Sequence, residues 1–272
     1  MDWTLNLCSR RRRAQILADR RGRAVAVMFT APAEAEARMA RTLDACRRYV
    51  GEGWVVTFHT AWALGMTQLT HGRYVAAEAT LRAAMTGYDL GDEAHRRWRH
   101  CTRSAWAMAR AELGHGDEAI RDIEEVITAC ASEWGEYGAP TLENRGYLGA
   151  VLTRLGRGRE AAEVLTDVVH GRIGVDGPRT RRTLCARHDL GTALVQIGEF
   201  DRAEAEFAAV EAEPGTYPSC AQVCLEGTAR IAAGRRKWPQ ARRLYADAIG
   251  TYVVDDHPDL RKLRTELAAL PE

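Results

Sequence analysis

Two pairs of soft ligands carry the clearest potential for chemistry in this sequence. Cys185 and His188 stand three residues apart, and Cys220 and Cys224 four apart. Either spacing puts both side chains on one face of a helix. With the two helices as neighbours, three thiols and one imidazole would make a donor set acceptable to structural zinc. The spacing matches no standard finger, however, and buried free thiols packed as small hydrophobes account for the same residues. No metal and no cofactor is therefore assigned. Catalytic patterns are weaker. His188-Asp189 and His100-Cys101 are adjacent pairs, and adjacent side chains on a helix point about 100° apart. Gly-x-Ser-x-Gly, His-Glu-x-x-His and the phosphate-binding Gly-x-x-x-x-Gly-Lys do not occur. Glu124-Glu125 and Asp255-Asp256 read as solvated charges, and no catalytic residue is assigned.

The composition narrows the field further. The chain has 272 residues, enough for one or two domains with a sizeable core. Its 38 Lys plus Arg nearly balance 37 Asp plus Glu, which disfavours a globally basic nucleic-acid binder. The longest apolar run, Ala24 to Pro32, is far short of the roughly 20 residues that span a bilayer. Seven scattered Cys, an odd number, do not suit a disulfide framework. They suit reduced thiols and a cytoplasmic location. All but Lys237 and Lys262 of the basic side chains are Arg, a bias of GC-rich, bacterial-type coding more than of binding.

The first 23 residues carry seven Arg against Asp2 and Asp19. A basic stretch before a short apolar one also fits an export signal. Here the polar segment Gln15 to Arg23 separates Arg13 from Ala24, so residues 1–32 read as a basic arm or cationic helix, able to touch an acidic partner.

The elements that must position these residues repeat. Leu64-Gly65, Gly72, Ala77 and Leu81 recur as Trp106-Ala107, Gly114, Ala119 and Ile123. They recur again as Leu148-Gly149, Gly156, Ala161 and Leu165, and as Leu190-Gly191, Gly198, Ala203 and Phe207. Ala77, Ala119, Ala161 and Ala203 are each separated by 42 residues, and a looser copy places Ala241 after a gap of 38. The small residue in each first helix (Gly65, Ala107, Gly149, Gly191) lets its partner helix approach. The turn glycine permits a left-handed residue after the first helix. Leu81, Ile123, Leu165 and Phe207 fill the space between. Pro140, Pro178, Pro214 and Pro218 fall between helix pairs, where they stop one helix or open the next.

This pattern, from about Val55 to Val253, resembles the tetratricopeptide repeat (TPR) family. Its 42-residue step is similar to the long-helix variety found in kinesin light chains and many actinobacterial proteins. Ala139-Pro140-Thr141-Leu142 and Gly177-Pro178-Arg179-Thr180 resemble that variety's linker without its His. Gly146-Tyr147 and His188-Asp189 stand where it tends to carry paired Asn. The resemblance implies an all-α, right-handed solenoid of stacked antiparallel helix pairs: about five repeats over residues 33–272. Ala33 to Tyr49 would be a degenerate leading helix with Ala35 in register, and Asp259 to Leu270 a C-terminal capping helix.

The resemblance also implies that first helices line a concave groove. The groove-facing positions are then His59, Trp62 and Met66; Cys101, Ser104 and Met108; Glu143, Gly146 and Ala150; Cys185, His188 and Thr192. Arg145, Arg154, Arg187 and Gln196 lie at its edge. Trp62 and Met66 offer an apolar anchor, and the arginines offer two-pronged partners for carboxylates. Two basic clusters open first helices, Arg96, Arg97, Arg99, His100 and Arg103 around Trp98, and Arg179, Arg181, Arg182 and Arg187. The reading that follows is a non-enzymatic scaffold binding another protein or an acidic, extended peptide. Membrane and nucleic acid are not the expected partners, and a homodimer is compatible with it. Two alternatives remain: a peptide-sensing regulator acting through a partner, and an enzyme or accessory protein with a substrate pocket in the groove.

Overall fold

Gly72, Gly114, Gly156 and Gly198 all adopt positive φ, between 71° and 95°, in the left-handed region that an L side chain resists. Each lies directly after a first helix. The computed structural model describes residues 5, 8–28, 30–86, 93–213 and 218–271. Among these it contains thirteen α-helices and no strand. In chain order they are α1 (Arg10–Ala26), α2 (Pro32–Tyr49), α3 (Val55–Thr70), α4 (Tyr74–Thr86) and α5 (Glu93–Glu112); α6 (Gly116–Trp134), α7 (Ala139–Arg154), α8 (Gly158–Asp176), α9 (Arg181–Gln196) and α10 (Phe200–Glu211); α11 (Pro218–Gly234), α12 (Trp238–Gly250) and α13 (Pro258–Ala268). The architecture is an all-α solenoid of helix pairs. No helix among the described residues is long and apolar enough to cross a membrane.

The helices fall into two compact units, α1–α5 within Met1–Leu113 and α6–α13 within Gly114–Glu272. Within each unit a helix packs on its sequence neighbours. The first helices also touch one another two places along: α1 with α3 and α3 with α5 in the first unit, α7 with α9 and α9 with α11 in the second. Within each unit, first helices therefore form one layer, and second helices the layer behind it.

The repeat motif explains the packing inside a pair. A Cβ built on Gly65 would lie 2.5 Å from Leu81 Cγ, one on Gly149 2.5 Å from Leu165 Cγ, and one on Gly191 2.4 Å from Phe207 Cε1. Leu81 and Leu165 are wholly buried and Phe207 nearly so. Each such side chain contributes roughly 1.5–3 kcal/mol by leaving water, and it can do so only because the facing residue has no side chain. Ala77, Ala119, Ala161, Ala203 and Ala241 are all fully buried.

A second 42-residue rhythm closes the links between pairs. The hydroxyls of Thr57, Thr141 and Thr183 donate to the carbonyl oxygens of Gly51, Gly135 and Gly177 at 2.7, 2.8 and 2.7 Å. Those three glycines also have positive φ. Each bond satisfies a carbonyl left over at a helix end. At the ends of the chain, Ser9 caps α1 by accepting from the Arg12 backbone N–H at 3.4 Å. Leu17 and Ala24 of α1, like Ala35 of α2, are wholly buried. The capping helix α13 begins at Pro258, with His257 accepting from the Asp259 backbone N–H at 3.1 Å.

Candidate functional site

In the first unit, three aromatic rings meet on adjacent first helices. His59 and Trp62 lie on α3, and Trp98 lies on α5. The Trp62 and Trp98 ring centroids are 5.0 Å apart in an edge-to-face arrangement, and His59 is 4.5 Å from Trp98, both within the favourable range for aromatic pairs. All three are half-buried, as is Met66 one turn beyond Trp62. The indole N–H of Trp62 is buried and finds no hydrogen-bond partner among the described residues. A buried donor left unpaired is costly, and because it is closed off from solvent, what the half-buried cluster offers a partner is its aromatic surface. Trp106, further along α5, donates to Glu78 at 2.9 Å and lies under the Arg110 guanidinium, 4.7 Å away. Ser104 is fully buried and Cys101 nearly so. Elsewhere in this unit, Arg20 and Arg23 of α1 and Arg38 and Arg41 of α2 line one pocket together with Thr42.

In the second unit, Cys185 and His188 of α9 meet Cys220 of α11. One ligand atom from each lies within 4.8 Å of the others, and the two sulfurs are 3.8 Å apart. Nδ1 of His188 is 3.1 Å from the Asp189 carboxylate. Burial disfavours the imidazolium, but Asp189 and the Cys185 thiol outweigh it and raise the His188 pKa well above the ordinary histidine range. Contact with Cys220, then burial, keeps the Cys185 thiol protonated. The four-residue zinc set read from the sequence is thus brought together in three of its members. Cys224 lies outside the cluster, wholly buried, its thiol pushed up to about 12 by burial and by the nearby Glu211 charge. Four residues advance a helix by about 6 Å, so α11 presents one turn to the Cys185–His188 pair and carries the next turn past it.

The arginines read as groove-edge residues in this unit pair with carboxylates of the same unit. Arg154 makes two bonds to Asp259, at 2.6 and 2.9 Å. Arg187 binds Glu206 at 2.6 Å, and Arg145 pairs with Glu136. Gln196 donates to the Thr153 carbonyl at 2.8 Å. A further group gave no sequence signal: Arg172 on α8, only 3% exposed, lies between Asp176 at 2.9 Å and Glu143 at 3.2 Å. A buried guanidinium is tolerated only with such partners.

No protein-family model and no curated protein matches the chain. Solved structures do. BtubC (BKLC) from P. vanneervenii is 13% identical, with 97% of this chain and 94% of that one covered at a TM-score of 0.53. The nearly identical TPR-like repeats of a Podosopora anserina kinesin-light-chain-type protein are 17% identical, covering 73% of this chain and 95% of that one at a TM-score of 0.49. The chain has a TPR-like fold. Within it, the TPR-type first helices carry both the aromatic patch and the thiol–imidazole cluster.

Proposed function

We propose that this TPR-like chain is a non-enzymatic scaffold that binds another protein through an acidic, extended segment, seated on the first-helix face of the first unit. The observation that carries this reading is the half-buried cluster of His59, Trp62 and Trp98 on α3 and α5. Rigid aromatic surface, rich in Trp, is the usual make-up of an anchoring point in protein recognition. Met66 extends the apolar part of the face. The basic residues on either side of Trp98, among them Arg97 and Arg99, supply charge complementary to carboxylates, and the arginine-lined pocket of α1 and α2 adds to the positive field of the same unit. TPR-like folds serve protein–protein interaction in general, because stacked repeats offer an extended surface. The odd, scattered set of seven Cys supports a reducing, cytoplasmic setting. Residues of the second unit named from the sequence (Arg145, Arg154, Arg187, Gln196) serve that unit's internal bonds and are assigned no ligand role here.

Phage display of random peptides against the immobilised full chain tests the reading. Enrichment of acidic peptides bearing one aromatic or large apolar residue is expected, with affinity falling at least tenfold in Trp62→Ala and in Trp98→Ala. No enrichment, or binding unchanged in both variants, refutes it.

A further inference from the structure

The cluster on α9 and α11 has the donor chemistry and the spacing of a metal site, and it is independent of the aromatic face. Cys185 and His188 are one helical turn apart on α9, so backbone geometry alone holds their side chains on one face. Cys220 comes from a separate helix that packs directly on α9. Its sulfur stands 3.8 Å from that of Cys185. Two thiolates bound at about 2.3 Å to a tetrahedral zinc ion stand about 3.8 Å apart. A disulfide would need about 2 Å. The sulfurs therefore already sit on the edge of a zinc tetrahedron. The three ligand atoms lie within 4.8 Å of one another, so that small side-chain rotations suffice to bring all three onto one ion.

Charge and softness select the ion. Two thiolates and a neutral imidazole carry a charge of about −2, which a divalent cation cancels, so the filled site is neutral where it is most buried. Sulfur and imidazole favour zinc over magnesium or calcium, which take oxygen ligands. The Asp189 carboxylate lies 3.1 Å from His188 Nδ1, within reach of the hydrogen bond by which a carboxylate orients a ligating histidine and raises its basicity.

We propose that Cys185, His188 and Cys220 bind one Zn²⁺, fastening first helices α9 and α11 to each other. Binding releases three protons to solvent, one from each of the two thiols and one from the ligating nitrogen of the His188 imidazolium, and forms two Zn–S bonds and one Zn–N bond; no electron is transferred. Three protein ligands leave the fourth tetrahedral position to water.

The experiment is elemental analysis of the untagged full chain purified from zinc-supplemented medium, followed by Co²⁺ titration of the stripped protein. One zinc per chain and a near-ultraviolet thiolate-to-cobalt charge-transfer band are expected. Cys220→Ser and His188→Gln should lower zinc retention at least tenfold, whereas Cys224→Ser and Cys130→Ser should leave it unchanged. Helical circular dichroism checks that each variant is folded. X-ray absorption on the zinc-loaded wild-type protein reads the ligands without any substitution, and two sulfurs at about 2.3 Å are expected. Zinc at background level, undiminished zinc in folded Cys220→Ser, or a shell lacking sulfur would overturn the proposal. So would copper in place of zinc, or a Cys185–Cys220 disulfide recovered from metal-free protein.

Discussion

Arg154, at the end of α7, grips Asp259, in the first turn of α13, through two bonds of 2.6 and 2.9 Å. The residues are 105 apart in sequence, and the first helices α9 and α11 lie between theirs in the chain order of the second unit. The pair ties the capping helix back onto the stack. Burial alone would raise the Asp259 pKa, but the Arg154 guanidinium outweighs it and holds the carboxyl below its ordinary range. A carboxyl depressed in the folded state stabilises above its unfolded pKa, near 4, and that stability is lost as pH falls through the folded value. The Arg154 side chain is 48% exposed, so solvent screening limits the pair to about 1 kcal/mol. Asp259→Asn and Arg154→Ala should each lower Tm by about 2–4 °C at pH 7. The double variant should fall no further than the worse single one. At pH 3 the Asp259→Asn difference should shrink towards zero. Strict additivity in thermal melts would show that the contact carries no energy.

Gly149 offers a sharper packing test. Its missing Cβ is the space that Leu165 fills, with Leu165 Cγ 2.5 Å from where that carbon would stand. Leu165 is fully buried and has no free direction in which to retreat. Gly149→Ala should therefore destabilise by about 1–3 kcal/mol through overpacking, despite alanine's higher helix propensity, worth about 1 kcal/mol in the opposite sense. Denaturant midpoints measure the balance. Combining Gly149→Ala with Leu165→Ala should cost less than the two single changes together.

Alkaline pH should weaken the fold through two buried thiols. Cys46 and Cys130 occupy the same register position in α2 and α6, 84 residues apart, and both are wholly buried. Burial raises each from 9.0 to about 11. For an acid whose folded pKa is raised, stability is complete below the unfolded pKa and is lost as pH rises through the folded value. The window is therefore about pH 9 to 11, with a loss of about 1 kcal/mol per thiol by pH 10. Urea unfolding at pH 8 and pH 10 should show this fall in the wild-type protein and a smaller one in Cys46→Ala/Cys130→Ala. An equal fall in both would assign the effect to other groups.

How far the sequence could be read depends on how local the cause is. The turn glycines and the Gly149–Leu165 type of pair recur at a fixed step, so both partners announce themselves. The Thr57, Thr141 and Thr183 links share that step and were open to the same self-comparison, but a lone Thr in the first turn of a varied helix is a faint mark. The pairing of Arg154 with Asp259 depends on how α13 docks, which no spacing encodes. Arg172 looks like any helical arginine until Glu143 and Asp176 are seen around it. Cys185, His188 and Cys220 were legible as a group because helical spacing and stack order together bring them close. Cys224 was included with them because the height at which α11 meets α9 is set by packing alone.

Arg236 marks where the last repeat departs from the others. It lies 38 residues after Gly198, the same gap that separates Ala203 from Ala241, so it occupies the turn-glycine position. It keeps that position's left-handed backbone, with φ 60°, the one described non-glycine residue at positive φ. A side chain there costs about 1 kcal/mol. The turn still forms because the helices it joins are held together by Ala229, Ala241 and Tyr245, all buried in one cluster. Arg236→Gly removes the backbone strain but loosens the unfolded chain, which offsets part of the gain. A net stabilisation of about 0.5 kcal/mol is expected, seen as a raised urea midpoint with unchanged slope. Gly156→Ala, which imposes the same strain at φ 76°, should lower the midpoint by about 1 kcal/mol. Were Arg236→Gly to destabilise the protein, the Arg236 side chain would be contributing more than its backbone conformation costs.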